Sequence, residues 1–548
     1  MKNQIYLAAA LNILGTLSSF GQTCPDPMAT NTLSINNVSA TILSGGDMHW
    51  DLQNSGYEIP KGSGKHSIFA SSLWIGGIDA GGQIHMAAQT YRQTGNDFWA
   101  GPLDTTNAAT NASLAAPYDK VWKLDRMKVE EFSMQWNLGN VQNGTYVPDP
   151  DILSWPANGS GSFAANLAPY IDVNGNGIYD PLVGGDFPKM RGDQMTYKIF
   201  NDMCSFHGET GGIPLGIEVH ATAYSFSLPN APDSLEVINN TTLYHYEIFN
   251  RSTFQIDSTY VGYWQDGDLG DSYDDYVGCN PAGNYGLLFN GDSIDAVYGK
   301  RPPILSTVIL NGPLADLNDN VDNDNDSIVD EPNEQCLMNN FMTYDNSNSS
   351  GSYVGNPSTP GHYYYYLKGP YTFAPPALPT HFMYPVFPYD STIWTSFGNP
   401  ADRRSLISSG PFTFDPGQKI EYDFAISWSH DTTIPWGTQA YLERNAADNA
   451  QITNWFHNNN FPSGLFLGTE EHLSEQTVSI YPNPATSTIH IIHSSQTQKP
   501  RYEILDAVGR VLILSQDTSI DVSGLPAGIY LVRGMDGDVQ FSRKFIKQ

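Results

Sequence analysis

The chain has 548 residues, long enough for about three or four domains, so a large core can form without metal ions or disulfides. Its formal net charge is −31 at pH 7, and basic and acidic residues balance from Leu473 onward, so the excess acid lies in the preceding segment. Because phosphate backbones and anionic lipids are bound by clustered lysine and arginine, this charge argues against nucleic acid as a partner.

The first residues predict a secretory signal peptide over residues 1–21. Lys2 precedes an apolar run at residues 5–17, and small residues follow as far as Gly21. The apolar run is shorter than the roughly 20 residues that a bilayer-spanning helix needs, so an uncleaved anchor is the less favoured alternative. We therefore expect no transmembrane segment in the mature chain.

Four cysteines stand far apart in the sequence, without the short CxxC spacing of thiolate zinc sites. In an oxidising, exported context an even number suggests disulfides, although four cysteines allow three pairings. The sequence alone leaves these pairings open. We favour a bond between Cys279 and Cys336, and lipidation of Cys24 is a minor alternative use of that residue.

Residues 22–464 have the composition of an acidic, all-β body. Short runs with period-two patterning are separated by glycine, proline, asparagine and aspartate, which is typical of β-sandwich strands. A subdivision is predicted near residues 229–240, where prolines and polar residues cluster. The clearest predicted strands are residues 67–75, 129–136, 219–228, 243–250, 259–264 and 419–428.

Residues 438–458 break the β pattern and predict one amphipathic helix near the end of the body. Apolar residues recur there near helical spacing, and neither glycine nor proline intervenes. Residues 465–476 are predicted to form a linker, which would let the domain that follows move independently.

A first candidate calcium loop has the pattern DxNxNGxxD, in which oxygen-bearing side chains alternate and a glycine permits a tight turn. It resembles the first nine positions of an EF-hand or dockerin loop. Val183 stands where that family has an acidic bidentate ligand, and Asp186 could take over this role. The alternative is a simple turn between strands. The expected ligands are Asp172, Asn174, Asn176, the Ile178 carbonyl and Asp180.

A second candidate loop lies in the run NDNVDNDNDSIVDE, where dense carboxylates would repel one another unless a cation neutralised them. It resembles the DNDxDxxxDE repeats of exported metal-binding proteins, with Ser327 in place of their usual glycine. The alternative is a disordered acidic linker. The expected ligands are Asp322, Asp324, Asp326, the Ile328 carbonyl, Asp330 and Glu331.

A third acidic group has a spacing that fits no standard loop. A calcium site, a catalytic carboxylate cluster and a solvated loop all stay open as interpretations. The members of this group are Asp266, Asp268, Asp271, Asp274 and Asp275.

Residues 477–548 alternate apolar and polar positions in short runs between turns, which predicts a small Ig-like β-sandwich. Three motifs stand in order: YPNPA at 481–485, DAVGRV at 506–511 and LPAGIYLV at 525–532. They resemble the type A (Por) sorting domain of the type IX secretion system of Bacteroidetes. The motif residues are Pro482, Asn483, Pro484, Gly509, Leu525, Pro526, Gly528 and Tyr530.

This resemblance implies an address that the outer-membrane translocon reads and a sortase-like peptidase then removes. The expected location is the medium or the outer-membrane surface, after loss of the signal peptide and the sorting domain. The run at residues 265–279 resembles a segment of uncharacterised exported proteins of the same bacteria, a likeness that brings no known activity.

The sequence contains no HExxH, GxSxG or complete GxxxxGK[ST] motif, so no catalytic residue is assigned. We expect a binding, adhesive or structural module stabilised by Ca²⁺, with a glycan or another surface ligand. The alternative is a secreted hydrolase acting on polysaccharide, whose two carboxylates are placed by the fold rather than by a motif. Carboxylates about 5 to 10 Å apart beneath an aromatic-lined cleft would favour the hydrolase.

Overall fold

The computed structural model describes residues 24–229, 231, 233–324, 328–346, 355–372, 380–387, 400–458, 479–483, 485–492, 501–505, 511–536 and 539–547. The chain divides into two compact units, Met1–Gly468 and Thr469–Gln548. The predicted signal peptide and the predicted linker at 465–476 lie outside the described residues.

The first unit, the body, is built mainly of antiparallel strands, so the predicted mainly-β class is confirmed. Its strands are β1 (Thr30–Leu33), β2 (Ser39–Leu43), β3 (Asp47–Met48), β4 (Tyr57–Glu58), β5 (His66–Ile68), β6 (Ala70–Asp79), β7 (Ile84–Ala87), β8 (Trp99–Ala100), β9 (Trp122–Asp125), β10 (Tyr170–Ile171), β11 (Phe187–Pro188), β12 (Gln194–Asn201), β13 (Ile217–Ser225), β14 (Thr241–Asn250), β15 (Ile256–Asp266), β16 (Asp275–Asn280), β17 (Tyr285–Asn290), β18 (Ile294–Asp295), β19 (Gly299–Lys300), β20 (Ile304–Asn311), β21 (Asn340–Asp345), β22 (Arg403–Phe414) and β23 (Lys419–Ser429).

Two large sheets form the body. Sheet A has the order β21-β22-β15-β6-β3-β2-β4-β5, and sheet B has the order β16-β17-β20-β23-β14-β13-β12-β8. Their inner faces share one apolar core, in which the rings of Tyr263 and Phe424 lie 4.6 Å apart. Residues 229–240, where a subdivision was predicted, connect β13 to β14, which are neighbours in sheet B.

The described helices of the body are α1 (Ala112–Ala115), α2 (Arg126–Asn137), α3 (Pro150–Leu153), α4 (Pro360–Lys368) and α5 (Gln439–Asn458). Helix α5 confirms the helix predicted at residues 438–458. The Thr438 hydroxyl accepts a hydrogen bond from the backbone N–H of Tyr441 at 3.3 Å, which caps the helix start. Apolar residues of α2 and α5 cover the outer face of sheet B and form a second core with it.

Five of the six clearest predicted strands coincide with observed ones, whereas the strand predicted at residues 129–136 is wrong. That segment lies inside helix α2. Val129 and Phe132 are buried and Trp136 packs partly against the same core, a spacing of three and four residues that follows one helix face. The period-two interpretation overlooked this spacing.

The predicted bond between Cys279 and Cys336 is also wrong. Cys24 and Cys204 form the disulfide, with their Cα atoms 5.7 Å apart, while Cys279 and Cys336 are free and buried. The Cys279 thiol points to the carbonyl of Met383 at 3.3 Å. Disulfide pairing requires Cα atoms within about 7 Å, a condition set by the fold and not by sequence spacing.

Replacing both Cys24 and Cys204 by serine should lower the free energy of unfolding by about 5 kcal/mol, because the bond closes a loop of 180 residues and restricts the unfolded chain. Urea denaturation followed by tryptophan fluorescence measures this loss. Either single replacement should cost the same as the double one, since each breaks the same bond. Unchanged stability in all three variants would show that the bond does not form.

The second unit contains strands β24 (Ser479–Tyr481), β25 (Thr488–Ile492), β26 (Arg501–Leu505), β27 (Val511–Ser515), β28 (Ser519–Asp521), β29 (Gly528–Asp536) and β30 (Val539–Lys547). They form a three-stranded sheet, β24-β25-β28, and a four-stranded sheet, β27-β26-β29-β30. Apolar residues from both sheets, among them Ile489, Ile504 and Phe545, share one core. Among the described residues, no helix is long and apolar enough to cross a membrane.

Candidate functional site

The candidate site begins where strand β15 ends, on the outer face of sheet A. Side chains alternate along a strand, so Trp264 and Asp266 lie on the face of the sheet opposite to that of Tyr263. Trp264 stacks on Trp74 with ring centroids 6.0 Å apart. The antiparallel register places Asp266 opposite Arg404 of strand β22. Residues distant in sequence therefore meet at this sheet position.

Three carboxylates gather there. Asp266, Asp268 and Asp402 each offer an oxygen, and these oxygens lie within 4.8 Å of one another. The Arg404 guanidinium holds two of the three, donating to Asp266 Oδ2 at 3.1 Å and to Asp402 Oδ1 at 2.5 Å. The Tyr91 hydroxyl donates to Asp266 Oδ2 at 2.6 Å and accepts from Arg404 Nε at 2.8 Å.

One oxygen of this group is buried without a hydrogen-bond partner. Asp266 is 3% exposed, and its Oδ1 atom receives no hydrogen bond. An unsatisfied buried polar group costs about 1–3 kcal/mol, and more if it is charged. Asp266 is also among the residues that line a cleft.

The electrostatics of the site favour uptake of positive charge. Burial, and after it the charges of Asp266 and Asp402, raises the pKa of Asp268 to about 8. Burial likewise raises the pKa of Asp266 to about 6, although Arg404 opposes this shift. When all three carboxyl groups are ionised, they and the one guanidinium leave two negative charges, which a divalent cation would neutralise.

An open cleft of about 460 Å³ lies over the carboxylates. Three aromatic rings line it, with ring centroids 6.3 Å apart for Trp50 and Tyr91, and 6.1 Å apart for Phe69 and Tyr91. This volume falls within the range of about 300–1,000 Å³ that small-molecule sites occupy. The combination of aromatic faces and carboxylates suits a polyhydroxylated ligand such as a sugar.

The spacing of the carboxylates distinguishes two kinds of chemistry. Glycosidase carboxyl pairs lie about 5–5.5 Å apart in retaining enzymes and about 6.5–9.5 Å apart in inverting enzymes. Oxygens that share one calcium ion, at about 2.3–2.6 Å from it, are separated by at most about 5.2 Å. Oxygens that all lie within 4.8 Å of one another are close enough to share one calcium ion.

The third acidic group of the sequence is thus divided by the fold. Asp266 and Asp268 enter the cleft, whereas Asp271, Asp274 and Asp275 are not in the gathered group. Sequence reasoning missed the other members of the site, because no local pattern links them to this run and only the pairing of β15 with β22 unites them. The missed residues are Trp50, Phe69, Tyr91, Asp402 and Arg404.

The first candidate calcium loop is closed by its own hydrogen bonds. Asp172 accepts from the backbone N–H groups of Gly175 and Gly177, each at 2.7 Å. The Asn176 amide donates to Asp180 at 2.9 Å, while the Asn174 amide does so at 3.3 Å. This arrangement is compatible with a simple turn, and calcium binding there stays a prediction.

Asp186, which could have replaced the missing ligand at Val183, is engaged by the backbone. It accepts from the N–H groups of Val173 at 2.8 Å and Asp180 at 2.9 Å, one at each carboxylate oxygen. Asp186 therefore fixes the two ends of the loop relative to each other. Ile178, whose carbonyl was an expected ligand, is exposed.

The second candidate loop gathers two predicted residues and one that was missed. Asp322 and Asp324 lie with Glu334, each offering an oxygen within 4.8 Å of the others. Asp330 instead accepts a hydrogen bond from the backbone N–H of Asn320 at 3.1 Å. The signal for Glu334 was its position twelve residues after Asp322, close to where calcium loops carry an acidic ligand.

The remaining predicted ligands of this loop are placed as follows. Asp326 lies outside the described residues. Ile328 is exposed, and neither Asp330 nor Glu331 belongs to the described group of three carboxylates. The gathered part of the loop is therefore smaller than the sequence run suggested.

The described residues of the sorting motifs lie at turns or at the start of a strand in the second unit. The Asn483 side chain accepts from the N–H of Ile546 at 2.8 Å, next to Pro482, whose peptide bond is cis. The Tyr530 hydroxyl donates to the carbonyl of Pro526 at 2.9 Å. Leu525 packs against the core, and Gly528 opens strand β29 opposite Lys547. Pro484 and Gly509 lie outside the described residues.

Comparison with known proteins identifies one part of the chain. Residues 479–548 match the family model of the secretion system C-terminal sorting domain. No curated protein matches the chain. A solved polysaccharide lyase is similar at 7% identity and a TM-score of 0.19, over 60% of this chain and 34% of that one. The chain spans about a third of that lyase, and so low a TM-score does not establish a shared fold.

The family match coincides with the unit that carries the three sequence motifs. It begins at strand β24 and extends through strand β30, so it covers both small sheets. Residues 479–548 are therefore a sorting domain of the type IX secretion system, and the chain is a secreted or cell-surface protein that interacts with this machinery.

Proposed function

We propose that the body is a calcium-dependent glycan-binding module of adhesive type, which the sorting domain delivers to the cell surface or the medium. The observation that supports this proposal is the group of Asp266, Asp268 and Asp402 beneath the aromatic cleft, with one buried oxygen lacking a partner. A sortase-like peptidase would then remove the sorting domain, after earlier loss of the signal peptide.

The proposed binding step uses calcium as a bridge. Three carboxylates supply between three and six of the about six to eight oxygens that Ca²⁺ prefers, which leaves coordination positions open toward the cleft. Neighbouring hydroxyls of a sugar fill these positions, and the faces of Trp50 and Tyr91 pack against the ring. Arg404 keeps the carboxylates in place without neutralising all of them.

The pH dependence of binding follows from Asp268. Its pKa near 8 means that, without a cation, this carboxyl is mostly protonated at pH 7, so calcium must displace a proton. The affinity for calcium should therefore rise as pH increases from about 6 to 8 and fall as pH decreases. Acidification is expected to release both cation and glycan.

A glycan panel tests the proposal directly. Retention of glycans by the purified protein should require calcium and be lost in chelator, and Asp268→Asn should reduce it at least tenfold. Asp415→Asn is the matched control, because Asp415 is exposed and its side chain accepts a hydrogen bond from Gln255, away from the cleft residues. Equal retention with calcium and with chelator would contradict the proposal.

A secreted hydrolase of polysaccharide is the second candidate, and the raised pKa of Asp268 favours it. A carboxyl that stays protonated at neutral pH is suited to act as a general acid. The same panel distinguishes the two functions if new reducing ends are scored separately from retention. Release of reducing ends that disappears in Asp268→Asn would identify the hydrolase.

The two candidate calcium loops are proposed as structural sites. At the second loop, Asp322, Asp324 and Glu334 supply three carboxylates at the spacing of a shared cation. At the first loop, Asp172 and Asp180 are the only described carboxylates of the DxNxNGxxD pattern, so amide oxygens or water would complete the shell.

A further inference from the structure

Three buried oxygen atoms without hydrogen-bond partners lie at one end of the β16–β17 hairpin. They are Oδ1 of Asp274, Oδ1 of Asp275 and Oδ1 of Asn290. Asp275 and Asn290 are both 0% exposed, and the register pairs them directly across the two strands. Directly paired residues project their side chains to the same face of the sheet.

The orientation of the Asn290 amide is fixed by its other hydrogen bond. Nδ2 of Asn290 donates to the carbonyl of Asp292 at 3.1 Å, so Oδ1 is the end without a partner. Asp275 uses Oδ2 to accept from the N–H of Leu269 at 3.0 Å, which leaves its Oδ1 atom. When both carboxyl groups are ionised, all three unpartnered atoms are acceptors, and none can satisfy another.

The charges around these oxygens are of one sign. Burial raises the pKa of Asp275 well above its usual range, and Asp274, Asp268 and Asp295 raise it further. Burial and then Asp295 raise the pKa of Asp274 to about 6, while a hydrogen bond from the Asn290 side chain lowers it. Unpartnered acceptors on neighbouring residues in an acidic setting favour a cation, which would supply the missing positive charge.

We propose that Asp274, Asp275 and Asn290 form a buried calcium site, separate from the carboxylates of the cleft. Carboxylate and amide oxygens are the ligands of hard cations, and these three residues offer neither the thiolate nor the imidazole that would favour zinc. A trapped water molecule could donate to two of the oxygens, but it would leave the negative charge in place.

This site would order the segment that carries a cleft residue. Residues 267–274 connect strand β15 to strand β16, and Asp268 lies within them. A cation bound at Asp274 and Asp275 fixes the far end of this connection, since Leu269 is already held by Asp275. In this respect the inference deepens the proposed function, yet it depends on different ligands.

Calcium stoichiometry of the full chain tests the site. Equilibrium dialysis with radioactive calcium should show one bound ion fewer per chain in Asp275→Asn than in the natural protein. Asp268→Asn should remove a different ion, so the double variant should lose two. Asp292→Asn is the control, because Asp292 is exposed and lies in the same turn, and it should lose none.

An unchanged stoichiometry in Asp275→Asn would overturn the inference, whatever the result for Asp268→Asn. If Asp275→Asn does not fold, Asn290→Asp replaces it as the test, because it adds a carboxylate to the same site. This variant should bind calcium about tenfold more tightly, and unchanged or weaker binding would equally overturn the inference. If Asp275→Asn loses an ion but Asp268→Asn does not, only the proposed function is contradicted.

Discussion

Deletion of residues 477–548 should abolish appearance of the protein at the cell surface and leave the body in the periplasm of a host with a type IX system. The deleted segment contains the whole region that matches the sorting-domain family. Because the body forms its own cores without that segment, it should still fold. Protease accessibility of intact cells, with antibody detection of the body, measures the effect.

The complementary control is to attach residues 477–548 to an unrelated periplasmic protein, which should then reach the surface. Surface exposure of the deleted form would contradict the assignment of the sorting domain. Mass spectrometry of the exported natural protein reports in addition whether the sorting domain has been removed.

Replacing Arg404 by methionine should destabilise the body by about 3–5 kcal/mol, the cost of breaking a buried ion pair at one partner. Arg404 and Asp266 are each only 4% exposed in their side chains, so Asp266 would lose its compensating charge in a dry environment. Methionine keeps most of the apolar volume of the arginine stem, so the loss of stability reflects the missing positive charge of Arg404. Urea denaturation in chelator measures the change in unfolding free energy.

Arg403→Met is the matched control for this variant. Arg403 is the preceding residue of the same strand and pairs with Asp345 at 2.9 Å, but the Asp345 side chain is 51% exposed. Ion pairs that water can reach contribute at most about 1 kcal/mol, so the control should change little. Equal losses in the two variants would show that Arg404 does not compensate a buried charge.

Much of the body was predictable because its strands carry period-two patterning over long stretches. Strand β23, for example, was expected at 419–428 and is observed at Lys419–Ser429. Helix α5 was predictable because its apolar residues keep a helical period without interruption. Helix α2 was missed because the alternation within its eight central residues imitates a strand, although Val129 and Phe132 face one side.

The candidate site was predictable only in part. Asp266 and Asp268 stood out as acidic residues after a strand, but Asp402 and Arg404 follow about 135 residues later and carry no local pattern. Strand register, not sequence spacing, brings Arg404 opposite Asp266. The disulfide was misassigned for the same reason, since the fold, and not the sequence spacing, brings Cys24 and Cys204 close together.

The bond between Cys24 and Cys204 bears on how the protein crosses the outer membrane. If the predicted signal peptide delivers the chain to the periplasm, the body enters this oxidising compartment ahead of the sorting domain and has time to fold and form its disulfide there. A folded body of its length has a radius of gyration of about 22 Å, against about 77 Å for the unfolded chain. We therefore expect the conduit to admit a folded globule and not an extended thread.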